Sequence, residues 1–181
     1  NFEILFIYPI VFILSLIIRL IKPIFFIRFG TLDAEKIGPF ATNTELNICE
    51  KKHGVQPKNS FDIFHSGVTT FVCNFQFLKM WKRVLRVYPL SRYFWKVMHT
   101  FSFGKDHIIK TTKKSRDIYG LIDKSSVHLT FNREEVIKAK QDLSKMGLSE
   151  KDKYVLLLNR GEKYLKKTFK NINLSHNSFR N

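Results

Sequence analysis

The chain has 181 residues, a formal charge of +16 and two cysteines. That length makes one ordinary domain, or one domain and the beginning of another. Two cysteines exclude a disulfide scaffold and a four-ligand zinc finger; Cys49 and Cys73 both sit in apolar patterns, as buried free thiols of a reducing compartment do.

The positive charge is concentrated, since residues 73–120 carry a net +9 and residues 121–181 a net +6. Such a face opposes an anionic surface: phospholipid headgroups, a phosphate-bearing substrate or nucleic acid. The competing reading is the solvated, helix-rich surface of a lysine-heavy protein.

Residues 4–18, ILFIYPIVFILSLII, contain no charge, and Arg19, Lys22 and Pro23 close the run. A spanning helix needs about 20 apolar residues, so this stretch is expected to be a membrane anchor that either spans or lies in the interface. Arg19, Lys22 and Arg28 on its C-terminal side place the rest of the chain on the cytoplasmic face. The expected divisions are the hydrophobic helix 1–23, a first α/β domain 24–131, and a linker helix opening a second domain over 132–181.

The run IFFIRF (24–29) has strand composition, and Gly30 closes it. A polar loop with Asp33, Glu35 and Lys36 follows, then Ile37-Gly38-Pro39. Thr42, Asn43 and Thr44 offer N-cap oxygens to a helix running to about Lys52, which His53-Gly54 stops. Strand, glycine-punctuated loop and capped helix form the opening unit of a doubly wound α/β domain, where ligands bind beyond the carboxyl ends of the strands.

FDIFHSG (61–67) is a second strand, with His65 near its end as a structural or a functional histidine. NFQFLKMWKRVLR (74–86) and LSRYFWKVMHTF (90–101) carry apolar residues at helical spacing, with Lys79, Lys82, Arg83 and Arg86 on the other sides of the first. Aromatic and basic residues together suit a membrane surface or single-stranded nucleic acid. The aromatics fall at core spacing, however, and no RNP-type strand motif is present, so core aromatics under a basic outer face are expected, with no nucleic-acid partner. Residues 106–124 are expected to be a loop and a short element, and VHLTF (127–131) a strand. Asn132 caps REEVIKAKQDLSKMG, with Glu134 and Glu135 in the first turn and Gly147 at its end. YVLLLNRG (154–161) has the composition of a central parallel strand, followed by too few residues to complete a second α/β unit.

Several separated motifs agree with one family. KIGPFATNTELNICE resembles the RIGHFA…NTELYL signature of a family of bacterial glycosyltransferases associated with surface polysaccharide clusters. CNFQFLKMWKR resembles that family's NxQLLxMWKR, and YVLLLNRGEKYL and SHNSFRN resemble its VCLHVRDxAYL and HSYRN elements. The resemblance is collinear over about residues 17–181. It implies a GT-B-like enzyme of two Rossmann-type domains with an active site between them, of which this chain is the N-terminal, acceptor-side half.

The implied partners are a nucleotide-sugar donor, a lipid-linked or polysaccharide acceptor, and the anionic cytoplasmic face of the bacterial inner membrane. No metal or other cofactor is implied. Two departures stand out: Pro39 replaces the family's histidine, and of HVRD only Arg160 survives in Leu158-Asn159-Arg160-Gly161. A base for the acceptor hydroxyl must then come from Glu45, His65 or Asp33. Gly30, Gly38, Asn43, Arg160, Arg180 and Asn181 are the expected substrate contacts.

Overall fold

A computed structural model describes residues 2–67, 71–110, 116–149 and 151–155, the first four by their backbone alone. The chain divides into two compact units, Asn1–Phe131 and Asn132–Asn181. The first contains helix α1 (Phe2–Leu20), strand β1 (Ile27–Thr31), α2 (Ile37–His53), β2 (Phe61–His65), α3 (Phe75–Val84), α4 (Ser91–Thr100) and a 3-10 helix (Ser102–His107); the second contains α5 (Arg133–Lys145).

β1 and β2 pair in parallel, from Ile27 opposite Phe61 to Thr31 opposite His65. Single parallel bridges extend this small sheet on both sides, Ile108 against Phe29 and Val87 against Phe64. The lateral order is therefore the segment at 108, β1, β2 and the segment at 87, with a helical connection between each pair of consecutive strand-like segments. Parallel pairing requires such crossovers, and the architecture is mixed α/β. Leu32, Ala34, Phe40, Phe64, Leu78 and Trp81 form the centre of its core.

Strand β1 starts three residues later than the run IFFIRF suggests, and Gly30 lies inside it. The one charged residue within it, Arg28, is buried. A Cβ on Gly30 would meet the Phe64 ring at 2.7 Å, so glycine is required there by the ring crossing over from β2. Helix α2 begins at Ile37, not at Thr42, because Pro39 fits a first turn where no N–H is needed. Thr42 bonds back to the Gly38 carbonyl at 2.9 Å instead of capping.

In α3, Asn74 caps through Phe77 N–H; Leu78, Met80 and Trp81 are buried, while Lys79, Lys82 and Arg83 are exposed. The aromatic, basic segment is thus a core helix with a charged outer side. VHLTF is not a strand: Val127 and Phe131 are exposed, and the segment makes no ladder bonds. Its alternating pattern serves side-chain contacts, with Leu129 packed on the core. In α5, Asn132 and Glu135 form a reciprocal capping box, and Gly147 adopts a left-handed φ of 83°. Apart from Tyr154 and Val155, the expected strand 154–161 lies outside the described residues.

Among the described residues, no helix is long and apolar enough to cross a membrane. A spanning anchor is therefore not supported. Helix α1 packs on α4, with Tyr8 edge-on to Tyr93 at 5.7 Å and Phe12 edge-on to Phe101 at 5.1 Å. Val11 and Ser15 are buried there, and Phe6, Ile10, Ile13, Ile17 and Leu20 remain exposed on the other side.

Gly104, in the 3-10 helix, lies so close to α4 that an added Cβ would overlap the Cα and carbonyl of Met98. Only backbone movement relieves such a clash. Gly104→Ala is expected to cost about 1–3 kcal/mol, read as a lowered midpoint in urea with the m-value unchanged. An unchanged midpoint would contradict this packing.

Candidate functional site

The parallel strands finish along one edge, and the first connection there carries most of the polar groups. Leu32 N–H donates to the His65 carbonyl at 2.9 Å, and Cys73 N–H donates to the Ala34 carbonyl at 2.8 Å. These two bonds fix the turn that leads through Asp33–Lys36 into α2. Asn43, one turn into the helix, points back and donates to Asp33 Oδ2 at 2.6 Å. Its own Oδ1 is buried without a hydrogen bond. Lys36 is the extended N-cap residue, and its side chain does not cap the helix. Gly38 has open space where a Cβ would be. A helix N-terminus of this kind favours anions.

His65 stands beside this turn but is fully engaged. Its Nδ1 donates to the Gly67 carbonyl at 2.8 Å, so Nε2 accepts from the Thr31 hydroxyl at 2.9 Å. The ring is also edge-on to Trp95 at 5.5 Å. Burial holds its pKa below the usual histidine value, against the Gly67 bond, which raises it. A neutral, enclosed ring with both nitrogens occupied positions the strand end and is a poor general base.

Glu45 does not join Asp33 and His65. It faces away from the carboxyl edge and accepts from His128 Nδ1 at 2.6 Å, with Cys49 Sγ 4.0 Å from the same oxygen. Burial pushes the Cys49 thiol up, and the nearby Glu45 carboxylate adds to this. Gly30 packs in the sheet, and Arg160, Arg180 and Asn181 lie outside the described residues. Of the expected residues, the structure brings together Asp33, Gly38 and Asn43.

Two features were not anticipated. The first is a buried polar network at the amino ends of the strands. Arg28 binds Asp62 through both carboxylate oxygens at 2.9 Å and reaches Gln56 Oε1 at 2.7 Å. Gln56 in turn donates to Glu50 at 2.7 Å, and Lys51 donates to Asp62 at 2.8 Å. Beside it, Lys51, Lys52, Lys58 and Arg86 line a cleft of about 400 Å³. The second is the Glu45, Cys49 and His128 group.

No protein-family model, curated protein or solved structure matches this chain. Its function must be argued from its own residues. Arg28 inside a strand and Asp62 opposite it were a possible sequence signal for the network, because buried opposite charges pair across neighbouring strands. Glu45 and Cys49, four apart on one helical face, signalled the second group, but nothing local pointed to His128.

Proposed function

We propose that the chain is the acceptor-side part of a glycosyltransferase that moves a sugar from a nucleotide-sugar to a lipid-linked or polysaccharide acceptor. In this reading the first unit is a Rossmann-type domain of a GT-B-like enzyme, supported by the parallel order of its strands and the helical connection between them. The single observation that carries it is the β1–α2 turn. It sets a carboxylate, oriented by Asn43, beside an uncapped helix N-terminus at the carboxyl edge of parallel strands. Asp33 then takes the proton of the acceptor hydroxyl, the α2 N-terminus receives an anionic group, and His65 holds the end of β2 in place.

The exposed stripe of α1 lies in the cytoplasmic membrane interface, its apolar side chains in the acyl boundary and the basic face toward anionic headgroups. The substitution of Pro39 for the family's histidine favours a second reading, an inactive membrane-associated binding module. Sugar incorporation by the full product of the reading frame, across a panel of nucleotide-sugar donors and lipid-linked acceptors, separates the two. Activity is expected to fall at least ~10²-fold in Asp33→Asn, the scale of a lost general base. No turnover with any donor, while anionic vesicles still bind, would leave only the second reading.

A further inference from the structure

Helix α2 and the irregular segment 116–131 meet through one polar cluster. Glu45 and Cys49 stand one turn apart on α2, and His128 comes from the segment lying over it. The donor atoms of all three fall within 4.8 Å of one another. Cys49 is completely buried, and the Glu45 and His128 side chains are about one-fifth and one-sixth exposed. Ser125 faces the same thiol, and its hydroxyl is buried without a hydrogen bond of standard geometry.

We infer that Glu45, Cys49 and His128 form a mononuclear transition-metal site, best suited to Zn²⁺. The donor set of carboxylate oxygen, thiolate sulfur and imidazole nitrogen is one that zinc accepts and that the hard cations Mg²⁺ and Ca²⁺ do not. The dimensions fit after small side-chain rotations. Zinc lies about 2.3 Å from sulfur and about 2.0 Å from nitrogen or oxygen, which puts tetrahedral ligands about 3.3–3.6 Å apart. The Glu45–His128 separation of 2.6 Å must open and the Glu45–Cys49 separation of 4.0 Å must close, each by less than about 1 Å, and Cys49 and His128, within 4.8 Å of each other, close by at most about 1.3 Å.

In the bound state the neutral His128 ring coordinates through Nδ1 and carries its proton on Nε2, to which the proton shared with Glu45 moves by exchange with solvent, and the Cys49 thiol proton is released to solvent. Three protein ligands leave a fourth position for water. The ion ties the segment 121–131 to α2, adding to the Lys52–Ser126 and Arg83–Thr130 hydrogen bonds and to the burial of Leu121 and Leu129. Glu45 is then a metal ligand, outside the sugar-transfer chemistry, and the inference stands whether or not that chemistry occurs.

Co²⁺ is the probe, added to the reduced, metal-stripped full chain, because tetrahedral cobalt bound to a thiolate gives a near-ultraviolet charge-transfer band. One equivalent is expected to produce that band, and Zn²⁺ to displace it. Cys73→Ser should leave the band intact and Cys49→Ser should abolish it. His128→Ala, in a half-exposed segment outside the core, should weaken Co²⁺ binding at least ~100-fold, beyond what outer-shell partners contribute. Absence of a thiolate band in the unmodified chain would overturn the inference. So would a band that survives Cys49→Ser, or affinity unchanged by His128→Ala.

Discussion

Replacing Arg28 by alanine is expected to cost about 3–5 kcal/mol, the loss seen when one partner of a buried ion pair is removed. The side chain is 4% exposed and supplies three of the donors that its neighbourhood uses. Without it, Asp62 Oδ1 and Gln56 Oε1 lose the Arg28 donors, and Lys51 and Ser60 are left beside the Asp62 carboxylate. Arg28→Lys should recover only part of the loss, because one ammonium cannot make the planar fork to Asp62 and also reach Gln56. Arg28→Leu combined with Asp62→Leu should lie much nearer the original stability, since it removes the charge and its counter-charge together.

The same network predicts an acid limb. Burial by itself would raise the Asp62 carboxyl, but donation from Arg28 and Lys51 outweighs it and holds the pKa below its ordinary 3.8. A depressed carboxylate contributes stability above the unfolded value and loses it as pH falls through the folded value. Stability should therefore decline below about pH 3.8. In Arg28→Ala, where burial is less opposed, this decline should be shallower. Urea titrations at a series of pH values measure both effects, and an Arg28→Ala curve parallel to the parent would remove Asp62 as its source.

Strand β1 is displaced from its apolar run at both ends. A strand is recognised by its apolar run, and the run at 24–29 begins in the turn that leaves α1, where Ile24 and Phe25 are exposed. The true strand runs through Arg28 and on through Gly30, the residue that local pattern treats as an end. Both are explained only by β2: Asp62 neutralises the one, and the Phe64 ring fills the space above the other. Elements whose logic is local were legible, such as α3, with its asparagine cap and buried face, and the Asn132–Glu135 capping box. VHLTF has strand composition, but composition does not provide a neighbouring strand, and its exposed Val127 and Phe131 find none.

The candidate site divides along the same line. Asp33, Gly38 and Asn43 are close in sequence, and a strand-to-helix turn brings such residues together with little help from the rest of the fold. Their place in one loop was legible; the Asn43–Asp33 bond was not, because Asn43 sits inside α2 as a side-chain donor and not at its cap. His65 was ambiguous until both ring nitrogens had named partners. The partner of Glu45, His128, is 83 residues away. Pairings at that separation are fixed by how a segment crosses a helix, and no spacing rule contains that information.

Trp81→Ala should be the most damaging single truncation in the core, at about 3–5 kcal/mol. Trp81 is 1% exposed, lies in the central cluster with Phe40 and Phe64, and meets the Phe77 ring at 5.6 Å. A domain of this kind has about 5–15 kcal/mol in total, so the variant would stand near its unfolding threshold at 25 °C. Trp81→Phe tests a finer point. The indole Nε1 is buried without an acceptor, and a buried donor without a partner carries a penalty of about 1–3 kcal/mol. Phenylalanine removes that donor along with some volume, so its two effects oppose each other. The phenylalanine variant should consequently lose far less than half of what alanine loses. Equilibrium unfolding of the two variants against the parent decides it: equal losses would mean that the indole N–H is satisfied and the packing around Trp81 differs from the arrangement described.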